Sequence, residues 1–93
     1  MSAMIIGGDK LGNIYKNLEK NGYKIVKHIT GRKKREIEGG IPCDVDTVFV
    51  FIDYVKHEIV NIIKKEGKKR NLKMVFVKRS WSHIAEEVEN INV

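Results

Sequence analysis

Four short apolar runs alternate with polar or amphipathic stretches along the 93 residues, and this alternation constrains the fold more than any other feature. The runs are rich in β-branched and aromatic residues and are bounded by turn-forming residues, as β-strands are. They occupy residues 4–6, 24–30, 45–53 and 73–78. Such alternation predicts one α/β domain over residues 1–93, with a parallel sheet covered by helices on both faces.

The stretches between and after these runs have the apolar spacing of amphipathic helices. The first has Leu11, Ile14 and Leu18 on one helical face. The third and fourth show the same pattern, with Val55, Ile59, Ile62 and Ile63, and with Trp81, Ile84, Ala85, Val88 and Ile91. The second, residues 32–40, has only Ile37 as an apolar anchor, so it is predicted to be either a short helix or a mobile basic flap.

The composition of the runs also predicts the order of the strands. The third and first runs are the most apolar and belong in the centre, whereas the second contains Lys24, Lys27 and His28 and suits an edge. The expected order is 2-1-3-4 with right-handed crossovers, which is half of a doubly wound, flavodoxin-like or Rossmann-like, three-layer fold. Ligands of such folds bind beyond the carboxyl ends of the strands, here beside the switch between strands one and three.

Polar residues follow the four predicted strands and should therefore meet at that carboxyl edge. They are Gly7, Gly8 and Asp9 after the first strand, His28, Thr30 and Arg32 at the end of the second, Asp53 after the third, and Lys78, Arg79, Ser80 and Ser82 after the fourth. Two cations directly before a helix are unexpected on grounds of stability, because the helix dipole favours acids there. We therefore expect the edge to hold a small ligand that bears phosphate or carboxylate.

Several of these residues also have a purely structural interpretation. Gly7 and Gly8 fit a tight strand-to-helix turn, and GGDKLG is neither a complete dinucleotide-binding fingerprint nor a P-loop. Ser80 fits a helix N-cap. Asp53 fits a cap better than an acid–base partnership with His57. The sequence has no complete set of nucleophile, base and orienting group, which favours a binding protein over an enzyme.

Composition argues against several classes of protein. The single cysteine, Cys43, cannot form an internal disulfide, so a disulfide-stapled secreted domain is not expected. No apolar run approaches the ~20 residues that span a bilayer, and the first residues lack the pattern of a signal peptide. We expect a cytoplasmic protein that does not bind membranes. The spacing of histidine and cysteine matches no structural metal site.

The formal net charge is +6, and two basic clusters, residues 32–35 and 64–70, hold much of it. Such clusters attract nucleic acid, but they are more often solvated surface. The second cluster is expected at the opposite edge of the sheet from the ligand. The chain has neither an aromatic-interleaved basic strand of the RNA-binding type nor a helix-turn-helix pattern, so nucleic-acid binding is an alternative that the sequence does not favour.

The segments MIIGGDKLGNI, IVKHITGRKK, DTVFVFIDYVKH and VFVKRSWS together resemble a family of small bacterial domains of unknown function, found mainly in Firmicutes. The resemblance covers nearly the whole chain and implies a Rossmann-like fold. It also implies an association with haem and dioxygen, in which His28 or His57 would be the axial iron ligand. The sequence has no CxxCH motif, so such a haem would be bound non-covalently.

Taken together, these patterns predict a ligand-binding or sensor module for a small anionic ligand. A haem-binding sensor of dioxygen and a nucleic-acid-binding accessory protein are the alternatives. A domain this small, with two open sheet edges, is also expected to form a homodimer.

Overall fold

The computed structural model of the protein describes residues 1–8, 12–52 and 55–77. The strands are β1 (Ser2–Ile6), β2 (Lys24–Ile29), β3 (Thr47–Phe51) and β4 (Lys73–Val77). The helices are α1 (Asn13–Lys20), α2 (His57–Lys69) and a short 3₁₀ helix (Lys34–Ile37). The helix predicted after the fourth strand lies outside the described residues.

The four strands form one parallel sheet in the order β2-β1-β3-β4, as predicted. The two most apolar strands are central: β3 is buried along its whole length, and β1 is buried after its first residue. The lysine-containing β2 lies at an edge and is only partly buried before Ile29. The fold is therefore the expected flavodoxin-like α/β arrangement.

The sheet separates two hydrophobic cores, one on each face. On the first face α1 contributes Ile14 and Leu18, which pack with Ala3, Ile5, Tyr23, Phe49, Phe51, Val75 and Val77. On the second face α2 and the 3₁₀ helix contribute Ile59, Val60, Ile63 and Ile37, which pack with Met4, Ile6, Ile29, Ile41, Val45, Val48 and Val50. These two sets are called the α1-side core and the α2-side core below. They give the domain the three layers that the sequence predicts.

The helix α1 ends at the Asn-Gly pair that follows it. The Asn21 side-chain amide donates to the carbonyl of Asn17 at 2.7 Å. Gly22 has a φ of 90°, which glycine adopts without strain, and its N–H donates to the carbonyl of Glu19 at 3.1 Å. The chain then enters β2 through Tyr23, whose ring packs edge-on against Phe49 with centroids 5.2 Å apart.

The helix α2 buries a slightly different face from the predicted one. Ile59 and Ile63 are buried as expected, but Ile62 is 36% exposed and Val60 takes its place. The buried stripe of α2 runs at four-residue spacing through Ile59, Ile63 and Gly67, and this leaves Ile62 on the exposed side of the helix. A Cβ on Gly67 would lie 2.5 Å from Sδ of Met74, so the glycine lets α2 approach β4 closely.

The second predicted helical stretch proves to be a short helix held by apolar anchors. Ile37, Ile41 and Val45 are all buried in the α2-side core. Arg70, just after α2, donates its guanidinium N–H groups to the carbonyls of Ile41 at 2.5 Å and Pro42 at 3.0 Å. Arg70, a member of the second basic cluster, therefore links the end of α2 to the segment that precedes β3.

The ladder between β1 and β2 contains one irregularity. Ala3 pairs with Ile25 and Met4 pairs with Lys27, so Val26 has no partner of its own on β1. After this point Ile5 pairs with His28. Because Ile5 belongs to the α1-side core and paired residues point to the same face, His28 lies on the α1 side of the sheet.

Candidate functional site at the carboxyl edge of the sheet

The carboxyl edge brings together the predicted site residues that follow the first two strands. Gly7 and Gly8 follow β1, and Thr30 and Arg32 follow β2, which is its neighbour in the sheet. His28 lies next to last in β2. The other predicted site residues lie outside the described residues; they are Asp9, Asp53, Lys78, Arg79, Ser80 and Ser82.

The turn after β1 depends on glycine at two consecutive positions. Gly7 has a φ of 118° and Gly8 a φ of 80°, both in the region that other residues rarely adopt. The Gly7 N–H donates to the carbonyl of Ile29 at 2.9 Å. A Cβ on Gly7 would lie 2.9 Å from both Cβ and the carbonyl oxygen of Phe51, so a side chain has no room there.

His28 holds this turn in place. Its Nε2 lies 2.9 Å from the carbonyl oxygen of Gly8, and the imidazole is half-buried. A carbonyl only accepts hydrogen bonds, so Nε2 must bear the proton and donate it. The bond fixes the direction of the Gly8 carbonyl, which makes His28 a positioning residue of the turn.

Among the described residues, no side chain caps the first turn of helix α1. It is preceded by Gly12, which has a φ of 51° and no side chain to cap the first turn. The first turn contains no acidic residue. The N–H groups and positive dipole end of such a helix attract anions.

The loop after β2 is organised by Glu36, a residue that the sequence reasoning missed. Its carboxylate accepts hydrogen bonds from the Thr30 hydroxyl at 2.6 Å and from the N–H groups of Thr30 at 2.9 Å, Gly31 at 3.2 Å and Lys33 at 3.3 Å. An acid within the basic run RKKRE, placed three residues after Lys33 at a helix start, was the available signal.

These hydrogen bonds keep Glu36 ionised. Partial burial by itself would raise the pKa of its carboxyl group, but the bonds from Thr30, Lys33 and Gly31 outweigh burial and lower the pKa to about 2. The hydroxyl and N–H of Thr30 are thus committed to Glu36. Arg32, on the same loop, is exposed.

Val55 and Lys56, which precede α2, contact the end of β1 and the loop after β2. The Lys56 N–H donates to the carbonyl of Gly31 at 3.0 Å. Val55 fills the space that two glycines leave: its Cγ2 would lie 3.1 Å from a Cβ on Gly7 and 2.8 Å from a Cβ on Gly31. Val55 packs against the α2-side core, so it covers the end of β1 on that side of the sheet.

The two histidines of the haem alternative, His28 and His57, lie in different surroundings. The Nε2 atom of His28 donates to the Gly8 carbonyl, which leaves the lone pair of Nδ1 as the position where this imidazole could bind a metal. His57 is exposed at the first position of α2. Within residues 1–8, 12–52 and 55–77, no group of three His, Cys, Asp or Glu side chains could hold a metal ion.

A family model described as an uncharacterized protein conserved in bacteria (DUF2325) matches residues 2–91 of the chain. No curated protein and no solved structure is significantly similar to the chain. In the part of the chain that the structure describes, no helix is both long enough and apolar enough to span a bilayer.

Proposed function

The chain belongs to this family of uncharacterised proteins conserved in bacteria, and from that starting point we propose that it is a ligand-binding or sensor module. In this proposal it holds a small anionic ligand, bearing phosphate or carboxylate, at the carboxyl edge of the sheet. The topology supports that location, because parallel α/β domains bind ligands at the switch point of the strand order. Here the switch lies between β1 and β3.

The observation that most supports the proposal is the glycine turn that leads from β1 to α1. Gly7, Gly8 and Gly12 all have positive φ, and the first turn of α1 has neither a capping side chain from Gly12 nor an acid. Backbone N–H groups in such turns and at helix starts bind anions without any side chain. In this proposal, the hydrogen bond from His28 to the Gly8 carbonyl keeps the turn in the conformation that binds the ligand.

Val55 favours one side of the sheet for this ligand. On the α2 side it covers the end of β1 and contacts the positions of Gly7 and Gly31. His28 and the start of α1 lie on the opposite side. The proposed ligand therefore approaches the glycine turn from the α1 side.

Cationic side chains would complete the site. Arg32 is exposed on the loop after β2. Lys78 and Arg79 directly follow β4 in sequence, and all four strands are parallel, so β4 ends at the same edge. Ser80 and Ser82 would add hydroxyl donors. Thr30 is assigned to the structure of its loop instead, because Glu36 occupies its polar groups.

Thermal-shift measurements with inorganic phosphate, pyrophosphate, ATP and citrate test the proposal. An anion at a hundredfold excess over its Kd would stabilise the domain by about 2.7 kcal/mol, which is easily measured. Arg79→Ala should weaken that response. Lys20→Ala is the control, because it removes one exposed cation from the last turn of α1. The proposal is wrong if no anion stabilises the wild type, or if Arg79→Ala responds as the wild type does to every anion.

We also propose that the protein forms a homodimer. In the described part of the chain, the sheet ends in two strands, β2 and β4, each with a partner strand on one side only. Open edges of a small domain favour association with another copy. Sedimentation velocity would give the mass in solution directly, and a monomer at all accessible concentrations would contradict this.

A further inference from the structure

Beyond its first turn, which contains the exposed acid Glu58, the outward face of α2 holds a concentration of lysines. From Asn61 onward, the exposed residues of the helix are Asn61, Ile62, Lys64, Lys65, Lys68 and Lys69. The acid in this stretch, Glu66, is half-buried. Four positive charges therefore lie along about 7.5 Å of helix, given a rise of about 1.5 Å per residue.

The stability of the helix does not account for this arrangement. Lys64 and Lys68 are four residues apart, as are Lys65 and Lys69, so each pair lies side by side on the helix and repels. The helix dipole favours cations only in the last turn, which covers Lys68 and Lys69 but not the other two. The clustered charge therefore suits an anionic partner better than it suits the isolated helix.

An exposed aromatic ring adjoins these lysines on the edge strand. The Nζ atom of Lys64 lies 5.2 Å from the centroid of the Phe76 ring, and Phe76 is 36% exposed. Lysines beside an exposed ring are the combination that proteins use to bind nucleic-acid strands, because lysine contacts phosphates and the ring contacts bases.

We propose that this surface, which consists of Lys64, Lys65, Lys68, Lys69 and Phe76 and is called the α2 lysine surface below, binds nucleic acid. The lysines contact the phosphate backbone, and the Phe76 ring stacks on bases without reading their edges, so binding does not depend on base sequence. This surface shares no residue with the proposed small-ligand site. The end of α2 leads into the amino end of β4, and Arg70 binds the segment that precedes β3, so Lys68 and Lys69 lie toward the opposite edge of the sheet, whereas Lys64 contacts Phe76 nearer the carboxyl end of β4.

Nucleic acid fits this surface better than an anionic membrane does. A helix that binds a membrane inserts its apolar face among the lipids. The apolar face of α2, with Ile59 and Ile63, is buried against the sheet. Ile62 is the only large apolar side chain on the outward face of α2 itself.

Fluorescence anisotropy with labelled single-stranded and duplex DNA tests the inference. Each phosphate contact contributes about 0.9 to the slope of log affinity against log salt for duplex DNA. If the four lysines each contact one phosphate, raising the salt from about 50 to about 200 mM should weaken duplex binding roughly 150-fold. The triple variant Lys65→Ala/Lys68→Ala/Lys69→Ala should lower the slope by about 2.7.

A matched variant separates this surface from the effect of net charge. Lys16, Lys20 and Lys24 are exposed at α1 and at the start of β2, and their triple alanine variant loses the same total charge. Its salt slope should stay close to that of the wild type.

Three outcomes would overturn the inference. They are no measurable DNA binding at low salt, equal loss of binding in both triple variants, and binding to phosphatidylserine vesicles without binding to DNA. The anion thermal-shift experiment concerns the carboxyl edge, so the two proposals can fail separately. Circular dichroism would verify that each variant is folded.

Discussion

At the scale of single residues, Glu36 determines the conformation of the loop after β2. One carboxylate receives four hydrogen bonds, three of them from backbone N–H groups of Thr30, Gly31 and Lys33. Backbone groups in a tight loop need such partners, because unpaired ones are costly away from water. The loop that presents Arg32 is therefore shaped by an acid and not by the basic residues around it.

The variant Glu36→Gln is expected to lose about 0.5–1.5 kcal/mol of unfolding free energy near neutral pH, because it removes the charge and one acceptor at a site where solvent screens the charge. The pKa of Glu36 in the folded protein is about 2, below its ordinary value of 4.5. A lowered pKa means that the carboxylate stabilises the fold above pH 4.5 and loses this effect as the pH falls toward 2. The stability gap between wild type and variant should therefore narrow on acidification.

Urea denaturation at about pH 7 and about pH 3 measures that gap, since the unfolded carboxyl group is mostly protonated at the lower value. Glu38→Gln is the control, because Glu38 is an exposed neighbour on the same short segment. A gap between wild type and Glu36→Gln that is equally wide at both pH values would contradict the assigned role.

At the scale of elements, the loops after β1, β2 and β3 support one another at the carboxyl edge. Val55 occupies space at Gly7 and Gly31, and the Lys56 N–H binds the carbonyl of Gly31. Val55 can cover the end of β1 because Gly7 and Gly31 have no side chains to occupy that space. The glycines here therefore serve close packing between loops as well as tight turning.

We expect Gly31→Ala to destabilise the fold more than Gly40→Ala. The two glycines have similar φ, 79° and 71°, so both substitutions place alanine in the left-handed region, at about 1–2 kcal/mol. A Cβ on Gly40 meets nothing within 4 Å, whereas a Cβ on Gly31 would meet Val55 Cγ2 at 2.8 Å. The difference between the two variants measures the steric contact with Val55.

A double-mutant cycle locates the source of that difference. Val55→Ala removes both methyl groups that a Cβ on Gly31 would meet, so Gly31→Ala should cost less in the Val55→Ala background. Equal costs in both backgrounds, or equal costs for Gly31→Ala and Gly40→Ala, would show that Val55 does not occupy this space.

Much of this arrangement could be predicted from the sequence, and the exceptions have physical reasons. The strands and their order follow from apolar content, since Phe49 and Ile5 belong to runs too apolar for an edge. The short helix after β2 stayed ambiguous, because its conformation depends on the contact between Glu36 and Thr30 rather than on apolar periodicity. The contact of Val55 with Gly31 depends on how two loops approach in space, which no local pattern encodes.

At the scale of the whole molecule, the central strands separate two independent cores. Ile14 of α1 and Ile63 of α2 belong to different cores, on opposite faces of the sheet. Layers on the two faces of a sheet lie about 10 Å from its plane. Changes in one core should therefore have little effect on the energetics of the other.

We expect Ile14→Val and Ile63→Val to cost about 0.5–1.5 kcal/mol each and to add within about 0.5 kcal/mol when combined. Equilibrium denaturation of the two single variants and the double variant measures the sum. Ile59→Val with Ile63→Val is the comparison, because both residues lie on α2 in the same core and share neighbours. Strong coupling between the first pair would mean that the sheet transmits packing changes between its faces.

The unpaired Val26 determines which face of the sheet receives His28. Side chains of a strand alternate between its two sides, so Ile25 and Ile29 would share a side in a regular strand. They belong to opposite cores instead, and the alternation changes phase at Val26. Because Val26 is an extra residue in β2, the His28 imidazole lies on the α1 side of the sheet instead of the α2 side. The hydrogen bond that orients the Gly8 carbonyl exists only because the chain there is one residue longer than its neighbour strand requires.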